Sequence, residues 1–364
     1  MTRGSSRAAV PVMDAFAVSA WANSLGISRE AVALYLASDV IDLHIDSFIW
    51  SRIFGYDLTK RHDLGPLGGR YFRQVDFPRI REAHVTGATW VVTTNIARKA
   101  PWRARTLFRN LEKLCSTFAK VDGEFAIVRN TAEYRAARAQ GKHGAFIGVQ
   151  GGNAFDENLA FLEAVPDGLI LRVTLVHLST SKMGVTSSPL SLGATGGLTH
   201  FGREFVERLN ARKVFVDLAH VSREGFFDAV AVHDKSQPLL VTHTGVSGVF
   251  PHWRNLDDEQ IRSIAHTGGT IGIMYQSGFL GPSTFNGRAS LIVDHLEHVV
   301  NVAGEDHASL GSDWDGMIVP PTDMPSCLEL PKLVQIMLDR GFSPERIQKI
   351  LGGNFLRVVS ALRG

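Results

Sequence analysis

Short apolar runs, several rich in β-branched residues, recur along the chain at Val40–Leu43, Ala88–Thr93, Ala145–Val149, Leu169–Leu175, Lys213–Leu218, Leu239–Thr242, Thr270–Met274 and Ala308–Gly311. Each has the length and composition of a strand buried on both faces. Between most of them lie stretches with apolar residues three and four apart, which predict amphipathic helices: Arg103–Lys120, Phe201–Asn210, Arg223–Val232, Asp257–His266 and Ala289–Val302. Leu330–Arg340 and Pro344–Leu362 also read as helix. Ser28, followed by Glu30 and Ala31, marks a helix start that continues to about Ala37. Buried strands alternating with helices predict a parallel sheet, and eight is the number that closes a barrel. The expected fold class is therefore α/β, a (β/α)8 TIM-type barrel with insertions and N- and C-terminal helices. Phe125–Val128 reads as an extra strand and Ser47–Arg79 as an insertion. Residues 1–12 read as a tail. No fixed-period repeat, low-complexity tract or linker divides the rest, so we expect a tail and helix over 1–38 and one barrel domain over 39–364.

Composition narrows the class. At 364 residues, 45% hydrophobic and 20% charged, the chain buries a core without staples and is not disordered. Lys plus Arg total 38 against 36 for Asp plus Glu, a balance that argues against a nucleic-acid binder. The basic cluster Arg98, Lys99, Arg103, Arg105 and Arg109 reads as the solvated face of a helix. Only Cys115 and Cys327 are present, which excludes a disulfide framework and a Cys-rich zinc site. No apolar run approaches about 18 residues, so no membrane association is expected. Pro11 and Asp14 interrupt the one stretch that could serve as a signal core, and the expected location is cytoplasmic.

In such barrels functional groups sit at the carboxyl ends of the strands. The eight runs are followed there by His44 and Asp46, by Gln150-Gly151-Gly152-Asn153 after the third, by His177, His220 and His243 after the fourth to sixth, by Tyr275 after the seventh, and by Asp313 and Asp315 after the last. Four of fourteen histidines thus fall at the same end of four strands. His44 and Asp46, two apart, can both face inward. Imidazoles with carboxylates suit Zn²⁺ or a related metal. The reading is a metal-assisted hydrolase. The other ten histidines read as surface or satisfied core groups, and Asp42 and Asp315 as structural.

The pieces DLHID (42–46), GVQGGNAFDENL (148–159), LRVTLVH (171–177), GLTHFG (197–202), VDLAHVS (216–222), VTHTGVSGV (241–249), RNLDDEQI (254–261), GSDWDG (311–316) and GGNFLRV (352–358) occur in this order. Together they resemble the membrane (renal-type) dipeptidases, peptidase family M19 of the amidohydrolase barrels. The resemblance implies two zinc ions and broad dipeptide cleavage. It implies that His44 and Asp46 hold one metal and His220 and His243 the other. Asp313 would move the proton, His177 would stabilise the oxyanion, and Arg254 would bind the substrate's terminal carboxylate. Tyr275 matches a position near the substrate, and Asn153 joins the substrate-binding set. A homodimer is also implied.

The sequence departs from that pattern at one decisive place. The family's metal-bridging Glu is here Gln150, and Leu43 and Ile45 replace the usual Gly and Asn. Two Zn²⁺ about 3.5 Å apart repel by roughly 19 kcal/mol at an effective dielectric of about 20, and a neutral amide offsets this poorly. Gln150 is thus a doubtful metal ligand. Three outcomes are open: one metal, two weakly held metals, or a divergent site that binds a peptide-like ligand or catalyses another reaction. A phosphoesterase or lactonase of the same superfamily is a further possibility, on fold analogy alone.

Overall fold

The computed structural model describes residues 15–94 and 99–364. The expected tail and Arg98 lie outside these residues. Among these residues, nine strands form one all-parallel sheet: β1 (Ile41–Ile45), β2 (Gly87–Thr93), β3 (Phe125–Ile127), β4 (His143–Gln150), β5 (Ile170–Thr174), β6 (Phe215–Asp217), β7 (Leu240–Thr244), β8 (Thr270–Ile273) and β9 (Ala308–Leu310). Eight of them run in the order β1-β2-β4-β5-β6-β7-β8-β9. The first and last meet just beyond their ends, where Ile45 pairs with Trp314 and Asp46 N donates to Trp314 O at 2.9 Å. The result is a nearly closed eight-strand barrel of the expected class. Strand β3 covers the lower part of the β4 edge, below the level at which β5 begins.

The predicted helices are observed at or within a few residues of their expected limits, with Arg223–Val232 unchanged. Ser28 caps Arg29–Ala37 by accepting from Ala31 N. The expected C-terminal helix is interrupted by a π turn, Lys349–Gly353. Gly352 there lies so close to β1 that a Cβ would come within 2.4 Å of Asp39 O. Helices Ala15–Leu25, Phe77–Glu82 and Thr131–Ala139 were not expected.

The amino-terminal end of the barrel is closed by apolar packing. Leu43, Phe146, Leu171, Phe215 and Leu240 meet Phe355, Leu356 and Val359 of the last helix, Asn354–Arg363. Arg363 then binds the carbonyls of Arg129, Gly168, Ile170 and Lys213 around the rim. Above this floor, three strands each take one residue more than a neighbour. β1 advances three positions while β2 advances two (Asp42 to Ile45 against Ala88 to Trp90), β5 slips once at Leu171 and β7 once between Val241 and Thr244. A slip of this kind re-aims the following side chain. It lets an apolar floor residue be followed directly by His44 in β1 and Arg172 in β5, both of which join the polar cluster above.

Candidate active site

His44 lies inside β1 rather than beyond it, and Asp46 follows the strand end. His243 is in β7, while His220 and Asp313 stand three residues past β6 and β9. His220 (φ 67°) and Asp313 (φ 63°) both adopt left-handed backbone conformations, which His and Asp enter more readily than most residues. The two glycines after Gln150 are required locally: Gly151 has φ 101°, and a Cβ on Gly152 would approach Leu175 O to 2.5 Å.

These groups converge. His220 Nε2 and His243 Nε2 are 2.8 Å apart, and His44 Nε2 is 3.5 Å from Asp313 Oδ1. Potential ligand atoms of His44, His243 and Asp313 lie within 4.8 Å of one another, all buried. The Gln150 amide sits 3.0 Å from Thr93 Oγ1 and 3.4 Å from His220 Nε2, and Thr93 Oγ1 also lies 2.9 Å from Asp46 Oδ1. Burial dominates the electrostatics. It lowers the pKa of His44, His220 and His243 well below the usual value and that of His177 to about 3, with nearby guanidinium groups acting in the same direction. It raises Asp46 to about 6 and Asp313 well above the carboxylate range, the latter helped by the Asp46 charge.

A buried pair missed from the sequence organises the cluster from below. Arg172 NH1 is 2.9 Å from Asp217 Oδ2, and neither side chain is exposed. Asp217 also accepts from Thr174 Oγ1, Thr242 Oγ1, Thr242 N and Ala219 N. Because the Thr242 hydroxyl gives its proton to Asp217, its lone pair receives the Nδ1 proton of His243, 3.0 Å away. His243 Nε2 is therefore left with a lone pair, as a metal ligand requires. The signal in the sequence was a charge inside each of two buried strand runs, which demands a partner.

Asp46, Gln150, His177, His220, Arg254 and Asp313 line a cavity of about 250 Å³. Arg254 is buried, donates to His243 O at 2.6 Å and keeps Nε without a partner. Its desolvation lowers its pKa to about 10, so it stays cationic at neutral pH. Two expected substrate residues do not reach this cavity. The Tyr275 hydroxyl is buried in the barrel wall beside Trp314 without a partner. Asn153 is turned toward Thr94, and its carbonyl accepts from Arg103 Nε. Asp42 accepts from Ser312 N at the seam, and Asp315 accepts from Gln74 N while also lining the cavity.

A larger cavity of about 790 Å³ adjoins the first, sharing Ile49, His177 and Leu178 and reaching Arg52, Arg109 and Lys113. The basic cluster is accordingly not one solvated face, since Arg103 pairs with Asp156 at 2.6 Å and Arg109 lines this cleft. The loop after His177 is tied down. Thr186 Oγ1 lies within bonding distance of the His177 and His220 carbonyls.

The family model for membrane dipeptidase (peptidase family M19) matches residues 28–363. The chain belongs to this family. Among curated proteins it resembles the uncharacterized protein in the pqqA 5' region of Klebsiella pneumoniae, 33% identical over 180 residues, 48% of this chain. The match spans 65% of that relative's length, just under two thirds. Among solved structures it resembles dipeptidase AC, a metallopeptidase of family M19, with a TM-score of 0.80 at 23% identity over 89% of this chain and 98% of that one. A Rhodobacter sphaeroides metallopeptidase liganded with a phosphinate mimic of L-Ala-D-Ala gives 0.78 at 23% identity over 89% and 99%. At that identity the likeness shows the fold. Among the described residues no helix is long and apolar enough to cross a membrane.

Proposed function

We propose that this protein is a metal-dependent hydrolase that cleaves the amide bond of a dipeptide or small N-acyl amino acid. One observation carries the reading: a carboxylic acid (Asp313), a buried guanidinium with an unpartnered Nε (Arg254) and a buried imidazole cluster share one cavity of about 250 Å³.

A divalent ion, zinc in the usual case of this family, fits the donor set on the His243 side. His243 Nε2 presents a lone pair, and His220 Nε2 lies 2.8 Å from it. When bound, such an ion lowers the pKa of water toward 7 and polarises a carbonyl. The protein's own groups do the rest. Arg254 receives the terminal carboxylate through its free Nε edge and so fixes the scissile carbonyl over the cluster. His177, neutral at working pH, donates a hydrogen bond to the developing oxyanion. Asp313, whose carboxyl is held above its ordinary range by burial, accepts a proton and returns it to the leaving amine. The homodimer implied by the family pattern belongs to this proposal as well.

The test is hydrolysis of a dipeptide panel by zinc-supplied protein, by His220→Ala, and after chelation. Turnover that disappears in both cases supports the reading. Ligand binding without product, or turnover indifferent to chelator and to His220→Ala, rejects it.

A further inference from the structure

Arg172 is fully buried inside the barrel, and its guanidinium NH2 is 2.6 Å from His44 Nδ1. Room for it is provided by Gly148 on β4, where a Cβ would approach Arg172 Nε to 2.8 Å. A guanidinium only donates hydrogen bonds. His44 Nδ1 must therefore accept, and the proton of the neutral ring resides on Nε2. That nitrogen faces Asp313 Oδ1 at 3.5 Å, with the Gln150 side chain also beside the ring. A ring protonated on Nε2 has no lone pair there to give to a metal. The tautomer that would free Nε2 places an N–H against the N–H of Arg172.

His243 is set in the opposite sense by the same carboxylate. Asp217 takes the Thr242 proton, so Thr242 accepts from His243 Nδ1 and leaves Nε2 open. Asp217 thus makes His243 a ligand through Thr242, and holds the guanidinium that makes His44 a donor. Gln150 adds to the asymmetry, because a neutral amide stands between the two halves of the cluster.

We infer that the centre holds a single metal ion on the His220–His243 side, and that the buried Arg172 guanidinium supplies the positive charge on the His44 side in place of a second ion. Arg172 is a positioning residue: it acts through the His44 ring. The inference rests on the metal-dependent reading above and departs from the two-zinc pattern that the family resemblance implies.

Elemental analysis of zinc-saturated, dialysed protein should give one zinc per chain. In the same sample, nitrogen-15 spectra of histidine-labelled protein should show His44 protonated on Nε2 and His243 on Nδ1. Two zinc per chain, or His44 protonated on Nδ1 with Nε2 shifted by metal, overturns the inference. No bound zinc, with turnover indifferent to chelator, fails the metal-dependent reading itself, so the two failures are distinguishable. The variant Q150E/R172M removes the guanidinium and restores a carboxylate while keeping Asp217 on Thr242, and should raise the stoichiometry to two. If it folds and still binds one, Arg172 and Gln150 are not the cause. If it fails to fold, the stoichiometry and tautomer of the unaltered protein still decide.

Discussion

Arg172 and Asp217 form an ion pair with no exposed side-chain surface at all. Removing one partner of such a pair strands a charge in a medium that solvates it poorly. Asp217→Ala should cost about 3–5 kcal/mol. The double variant Arg172→Met/Asp217→Ala should lose less than Asp217→Ala alone, because no buried charge remains. Urea unfolding of the set measures both. Additive losses would mean that the pair is uncoupled.

Arg254 should control recognition of the free carboxylate in the proposed reaction. Arg254→Lys keeps the charge but loses the planar fork. We expect KM for dipeptides to rise roughly 10- to 100-fold, or about 1.4–2.8 kcal/mol, with little change for the C-terminal amides. Steady-state kinetics on matched acid and amide substrates checks this, and an equal effect on both would remove Arg254 from carboxylate binding.

His143 sets part of the acid stability. It is fully buried, accepts from Trp90 Nε1 and pairs through Nδ1 with Val85 O, an arrangement that needs the neutral ring. Burial lowers its pKa to about 4, against about 6.5 in an unfolded chain. Below pH of about 6.5 the unfolded state therefore binds a proton that the native state refuses. Stability should fall as pH drops from about 6.5 to 4, by up to about 3 kcal/mol from this residue. Denaturation midpoints of His143→Gln should show a shallower slope across that window. An unchanged slope would place the acid sensitivity elsewhere.

Gly311 leaves no room for a side chain. A Cβ there would come within 1.7 Å of the Thr242 carbonyl oxygen, a backbone atom that cannot swing aside. Gly311→Ala should destabilise by at least the upper end of ordinary overpacking, about 3 kcal/mol. Gly123→Ala, with nothing within 4 Å, is the control and should be close to neutral. Thermal unfolding of the two variants gives the comparison.

The barrel was legible in the sequence because both-face burial writes each strand as a continuous apolar run, and because the intervening helices carry one apolar face. The cluster was legible because His44, His220, His243 and Asp313 all follow that rhythm. What escaped has a common cause. Thr93, Arg172 and Asp217 lie within the runs; Arg172 and Asp217 satisfy one another and Thr93 binds Asp46, partners that only the tertiary structure brings together. The short helices Phe77–Glu82 and Thr131–Ala139 are set by caps, Asp76 on Arg79 N and Asn130 on Glu133 N, more than by a long periodic face. Tyr275 and Asn153 occupy expected positions in the chain, but their side chains turn toward the barrel wall and toward Thr94. Direction of that kind follows from tertiary packing.

The seam between β1 and β9 has a consequence for how the molecule comes into being. His44 O accepts from Asp313 N at 3.1 Å, joining residues 269 positions apart at the heart of the cluster. During synthesis, the half of the site carried by β1 leaves the ribosome long before its counterpart exists. Seven barrel strands must wait, laid edge to edge, for the last one to arrive. The cavity is therefore among the final things to form, and loss of the β9 segment by premature termination would leave an open sheet with its polar cluster half-assembled.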